Sequence, residues 1–292
     1  MTATLFIGDY IYSSWSLRGW LFFERFGLAV RTKRVPFDQG SVADHMTALA
    51  PARTVPAMVT EDGAVVWDSL AIAEELASRF PEAGLWPQDP RLRALARSLA
   101  AEMHSGIADL RNDCPMNLRT AYTGVRPSTA VRADVARIAA LWDHALTQSG
   151  GPWLCGGYSV ADAVYAPVAA RIAGYGLPVD EPAQAYVARH LADPAFRCWR
   201  AMGLAGGATL QRYQRDHSPA PWPGPEPLTA APVESGTPEN DACPYSGKPV
   251  THLARIEGRV FGFCNAFCRD KTVADAAAWP AFMALFDQVT RA

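Results

Sequence analysis

Three cysteines stand close together near the end of the chain. Cys243 lies in "CPYSGK", and Cys264 and Cys268 lie in "FCNAFCRDK", a C-x20-C-x3-C spacing. Thiolates that converge suit Zn²⁺ or Cu(I). A closed zinc site wants four ligands, and His252, Asp241 and Asp270 are the candidates for the fourth. Packing as small hydrophobes would also account for three reduced cysteines. The remaining three, Cys114, Cys155 and Cys198, are scattered through helical sequence and suggest no chemistry.

A second set of residues lies in the first seventy positions. In "YSSWSLR", Ser13 and Ser14 sit at the expected start of a helix, where the dipole and free N–H groups favour an anion. A serine hydroxyl there can donate to a ligand thiolate and raise its nucleophilic fraction. Helix capping explains the same serines. In "TVPAM", Pro56 precedes a strand. A cis bond would leave Val55 free to pair its backbone with an extended peptide, and a trans proline opening a strand is the alternative. In "WDSLAIAEEL", Asp68 could receive a ligand ammonium, and Ser69 could hold a ligand carboxylate or cap the helix.

Periodicity supplies the elements that must position these groups. "TLFIG" and "AVRTKRVPF" read as strands, and "AMVTEDGAVVW" reads as a hairpin turning at Asp62-Gly63. "SLRGWLFFERFGL", "SVADHMTALA" and "SLAIAEELASRF" read as helices. The order β-α-β-α-β-β-α over residues 1–81 predicts a mixed sheet covered by helices. From 90 to 213 only helical periodicity is visible, which predicts an all-α second domain. Residues 214–240 are proline-rich and read as an extended linker. Residues 241–292 read as a small module with a hairpin turning at Glu257-Gly258 and a closing helix. In "GYSVADAVYAPVAARI", Ser159 and Asp162 have capping-box spacing and are read as structural.

Composition narrows the function. A net charge of −2 argues against a nucleic-acid binder, and no apolar run reaches membrane-spanning length. Six cysteines and no secretory leader pattern predict a cytoplasmic protein with reduced thiols.

Taken together and in this order, "SSWSLRGWL", "TVPAM" and "WDSLAIAEEL" resemble the glutathione transferase superfamily, over residues 4–206. The first motif is most similar to serine-type members, including the maleylacetoacetate isomerase (zeta) class, with Trp15 where that class has cysteine. The resemblance implies a thioredoxin-like domain followed by a helical domain, glutathione as co-substrate and a homodimer. It implies that Ser13 activates the thiol, and Ser14 is counted with the glutathione-binding residues. It implies that Val55 pairs with the cysteinyl part before a cis Pro56, and that Asp68 and Ser69 hold the γ-glutamyl end. Tyr10 or Tyr12 is the alternative hydroxyl donor. Candidate walls for a second, electrophilic and acidic substrate are Tyr12, Trp15, His104, Arg111, Asn112 and Arg171. The cysteine segment resembles the small TRASH and YHS-like metal-binding modules over residues 242–286, with Phe263 before the second cysteine. The expected function is a glutathione transferase-like enzyme performing conjugation, isomerisation or reduction. A non-catalytic sensor or scaffold that binds glutathione and metal fits the same residues.

Overall fold

β1 (Thr4–Ile7) alternates as a half-buried strand should, with Leu5 and Ile7 fully inside. α1 (Ser14–Glu24) is apolar almost all round and buries nine residues. It ends just before Gly27, whose φ of +65° lets the Leu28 N–H return to Phe23 O. β2 (Arg31–Arg34) pairs parallel with β1, and its exposed "RTKR" gives the sheet a charged edge. α2 (Val42–His45) starts with a capping box between Ser41 and Asp44. β3 (Ala57–Val59) and β4 (Val65–Trp67) form the expected hairpin, with Gly63 at φ +88°. The sheet order is β2-β1-β3-β4, antiparallel on the β3 side, and α3 (Ser69–Arg79) follows. This is a thioredoxin-like sheet and helix arrangement.

The helices α4 (Pro90–Ser105), α5 (Ala108–Asp113), α6 (Thr129–Ser149), α7 (Val160–Gly174) and α8 (Glu181–Ala192) complete the helical part. α7 buries every residue except Ala173 and so forms its centre. Its start is held by Asp162. One carboxylate oxygen accepts from Ser159 N and Oγ at 2.8 and 3.1 Å. The other accepts from Leu154 N at 3.0 Å and the Tyr186 hydroxyl at 2.9 Å. The helical stretch also contains a short strand that periodicity did not reveal. β5 (Ala121–Thr123) pairs antiparallel with β6 (Ser218–Ala220), inside the segment expected to be a linker. Such pairing joins residues far apart in sequence, and Pro219 tolerates it because the ribbon has only two strands.

The computed structural model describes residues 2–290. The elements above belong to one unit, Met1–Leu191 with Leu210–Pro223. A second unit comprises Ala192–Thr209 and Gly224–Ala292. It contains α9 (Pro194–Ala205), β7 (Ala230–Val233), β8 (His252–Ile256), β9 (Arg259–Phe263), α10 (Ala266–Ala274) and α11 (Pro280–Thr290). The β8–β9 hairpin turns at Glu257 and Gly258, both at positive φ, as expected of a tight two-residue turn. β7 adds to β8 as a third strand, so this part of the proline-rich stretch is also paired rather than free. α9 packs on α10, and Arg197 grips Asp275 with two bonds of 2.8 and 2.6 Å. The core of this unit is aromatic, with Phe261, Phe263 and Phe282 wholly buried. The unit is therefore larger than residues 241–292, because the hairpin alone leaves one edge and one face uncovered.

Candidate functional site

A cavity of about 680 Å³ opens in the first unit. Its lining brings together Ser13, Ser14, Val55, Pro56, Asp68 and Ser69 with Tyr12, Trp15, His104, Arg111, Asn112 and Arg171. Tyr10 does not line it. That ring is buried elsewhere, with the Arg34 guanidinium 5.2 Å over its face.

The two serines at the start of α1 are held differently. Ser13 is the N-cap. Its Oγ accepts from Ser16 N at 3.3 Å and donates to Ser16 Oγ at 2.8 Å. Ser14 Oγ accepts from Arg171 Nη2 at 3.3 Å, and among the described residues its own proton has no acceptor. Both hydroxyls are nearly buried at the positive end of an eleven-residue helix.

Across the cavity, Val55–Pro56 is cis, and the Val55 backbone makes no hydrogen bond among the described residues. It is thus available to an extended ligand. Asp68, rather than Ser69, caps α3, with Oδ1 accepting from Leu70 N at 2.8 Å. Among the described residues Ser69 Oγ consequently has no partner, buried at a helix N-terminus and on the cavity wall. An acceptor or donor supplied by a ligand would satisfy it. Asp68 Oδ2 lies 3.2 Å from His104 Nε2.

Cations dominate the remaining wall. Arg171 is buried and donates to Cys114 O, Pro167 O and Ser14 Oγ, and among the described residues to no carboxylate. Burial, then repulsion from Arg111, brings it down to about 10. Arg111 donates to His104 O at 3.2 Å and lies 5.5 Å over Trp15, and burial lowers it too. Behind Trp15 stands Arg18, fully buried, 4.2 Å from the ring, with Nε and Nη1 unpartnered. Burial, then Arg171 and Arg111, lowers Arg18 to about 9. Three guanidiniums so close raise the local potential and favour an anionic ligand. The sequence reading missed Arg18, although a single charge inside the apolar run of α1 was a visible signal. It also missed Phe37, Met116 and Tyr213, which line the cavity from outside the strands and α-helices.

In the second unit the sulfur atoms of Cys243, Cys264 and Cys268 lie within 4.8 Å of one another. The hairpin delivers Cys264 from the end of β9, and Asn265 caps α10 so that Cys268 turns back beside it at 3.9 Å. Ser246 Oγ and Asn265 Nδ2 both donate to Cys264 Sγ, at 3.2 and 3.3 Å. Burial opposes ionisation of Cys243, but N–H groups of Tyr245 and Cys264 outweigh it and bring the thiol to about 7. Among the described residues no His, Asp or Glu joins the three. His252 Nδ1 meets Thr251 Oγ1 instead, and Asp270 pairs with Arg269. Burial, then Cys243, pushes the Cys268 thiol up to about 11, so the thiolate is favoured at Cys243, and the soft sulfur set fits a thiophilic cation.

Comparison with known proteins agrees with the first unit. Residues 12–79 match the family model for the glutathione S-transferase N-terminal domain. A probable maleylacetoacetate isomerase from Caenorhabditis elegans is 34% identical over 110 residues, 35% of this chain and 49% of that protein. The chain thus spans about half the length of that relative. A glutathione transferase homologue from Burkholderia, solved with bound glutathione, superposes with a TM-score of 0.53 at 22% identity, covering 68% of this chain and 96% of that one. Glutathione transferase Omega 3C from Trametes versicolor gives 0.55 at 18% identity, covering 73% and 92%. The chain has the glutathione transferase fold, a thioredoxin-like domain followed by a helical domain, with a further small sheet unit at its C-terminal end.

Proposed function

We propose that the chain is a glutathione-dependent transferase or isomerase acting on a small acidic electrophile. The observation that carries this is the pairing, across one cavity, of an unbonded Val55 backbone and orphaned Ser69 hydroxyl with the two serines at the start of α1. An extended thiol peptide fits this pattern. Val55 pairs with its central residue, Ser69 and the α3 N-terminus take its carboxylate, and Asp68 takes its ammonium. The thiol then lies at the start of α1, where Ser13 stabilises the thiolate by turning its proton from Ser16 Oγ to the sulfur, Ser14 assists with its uncommitted proton, and the helix dipole adds to both. Arg171 and Arg111 hold an acidic electrophile in line with the sulfur, and juxtaposition supplies much of the rate. The maleylacetoacetate isomerases among the relatives and the bound glutathione of the Burkholderia homologue support the reading. A homodimer in a reducing cytoplasm fits a transferase with six cysteines and no disulfide among the described residues.

Calorimetric titration with glutathione, beside Ser69→Ala, tests it. Saturable binding weakened in the variant is expected, and no binding to the unaltered chain would remove the proposal.

The cysteine cluster favours a second component, a soft-metal centre of the TRASH or YHS type in the C-terminal unit. Cys243, Cys264 and Cys268 would hold Zn²⁺ or Cu(I), with an external fourth ligand for zinc. A non-catalytic role as a glutathione- and metal-binding sensor or scaffold predicts glutathione affinity that changes with metal and no turnover. Identical affinity in the Cys243→Ser, Cys264→Ser, Cys268→Ser triple variant would exclude that coupling.

A further inference from the structure

Residues 210–215 run as a strap along the cavity. On one side Arg212 Nη2 donates to Phe37 O at 2.9 Å. On the other, Arg215 donates to Asn112 O at 3.0 Å and Asp113 O at 3.1 Å. Between these anchors, Leu210 N and Gln214 Nε2 donate to the Tyr12 hydroxyl at 3.2 and 3.3 Å. The Tyr213 ring stacks on Tyr12, with centroids 4.7 Å apart and planes at 20°. The strap thereby exchanges one phenol for another. It engages the Tyr12 oxygen with two donors. The Tyr213 hydroxyl has no hydrogen-bond partner among the described residues, and the residue lines the same cavity as Arg171. Tyr213 is also among the groups that act electrostatically on the Arg171 guanidinium.

We propose that Tyr213 is a catalytic hydrogen-bond donor, whose phenol and the Arg171 guanidinium together receive the negative charge that forms on the electrophile. This rests on the glutathione reading above. When the thiolate adds to a conjugated carbonyl compound, a carbon–sulfur bond forms. The carbon–carbon π pair shifts into a new double bond next to the carbonyl carbon, and the carbonyl π pair moves onto oxygen. Tyr213 and Arg171 donate to that oxygen, and no proton leaves the phenol. The intermediate either takes a proton at carbon from water, giving conjugate, or returns the pair and expels the thiolate, giving isomer. A donor held in place by the stack and by two anchors needs no reorganisation as the charge develops.

The test is Tyr213→Phe, which keeps the stack and removes the hydroxyl. Two acids serve as probes, acetylacrylate, whose addition places charge on a carbonyl oxygen, and chloroacetate, whose displacement places it on the departing halide. The variant is expected to lose at least about tenfold in kcat with acetylacrylate. It should keep chloroacetate turnover and calorimetric glutathione affinity within about twofold. Unchanged acetylacrylate kinetics, equal losses on both probes, or glutathione binding without acetylacrylate turnover in the unaltered chain would each overturn the proposal. Absence of glutathione binding in the unaltered chain would overturn the function on which it rests, and this inference with it.

Discussion

Arg171 donates to Ser14 from 3.3 Å while Ser13, one residue earlier, donates to Ser16 and caps the helix. Adjacent hydroxyls thus have separable duties. Ser13→Ala is expected to lower kcat/KM roughly a hundredfold and stability by about 1 kcal/mol through the lost cap. Ser14→Ala should lower kcat/KM about tenfold and also cost about 1 kcal/mol, because the buried Arg171 Nη2 loses its acceptor. Steady-state kinetics beside thermal melts decide it. The reverse ranking would move the thiolate to Ser14.

Ser69 makes an unusual prediction because its buried hydroxyl has no internal partner. Ser69→Ala should leave the unliganded protein as stable as before, or slightly more so. It should weaken glutathione by roughly tenfold or more, the usual consequence of removing one partner from a buried charged hydrogen bond. Melting curves with and without glutathione read both effects. A variant destabilised without ligand would show that the hydroxyl has a structural partner.

Asp162 sets a pH dependence of stability. Burial raises its carboxyl from 3.8 to about 6, against the lowering hydrogen bonds of Leu154, Ser159 and Tyr186. The folded state therefore binds this proton more tightly than the unfolded chain. The associated stability is fully present below pH 3.8 and lost as pH rises through about 6. Asp162→Asn cannot titrate. Relative to that variant, the unaltered chain should lose about 3 kcal/mol between acid and neutral pH. Urea unfolding at several pH values measures the difference, and a flat one would refute the assignment.

The thiol cluster predicts one equivalent of bound Zn²⁺ or Cu(I), detected by competition with a chromophoric chelator. Cys243→Ser, Cys264→Ser and Cys268→Ser should each abolish tight binding, because removing one of three ligands leaves a bidentate site. Cys198→Ser should not, since its thiol donates to Ala278 O at 3.0 Å and stands outside the cluster. Equal binding in all four variants would refute the site.

Much of this architecture was legible because its signals are local. The order of strands and helices up to Arg79 follows from two- and 3.6-residue periodicities, and the turns at Gly63 and Gly258 follow from glycine at positive φ. The cysteine cluster was legible because the hairpin and the Asn265 cap are encoded within a few residues of the ligands. What escaped was non-local. β6 and β7 are proline-bearing segments that become strands only when β5 and β8 accept them. Arg18 gains meaning from Arg111 and Arg171, distant in sequence. Tyr213 gains it from stacking on Tyr12. The division between the serines escaped for the same reason, because Arg171 comes from another helix.

The second unit is assembled from 192–209 and 224–292, with the strap segment of the first unit between them. No single cut of the chain separates the two. A fragment ending at Thr209 keeps α9 without the α10 it packs on, and a fragment starting at Asp241 loses both α9 and β7. The order also constrains biosynthesis. α9 is made before any other element of its unit, and its apolar face must wait through some sixty residues of translation for α10. During that interval it is exposed to chaperones and to other chains. The vulnerability of α9 thus ends only with a helix synthesised long after it.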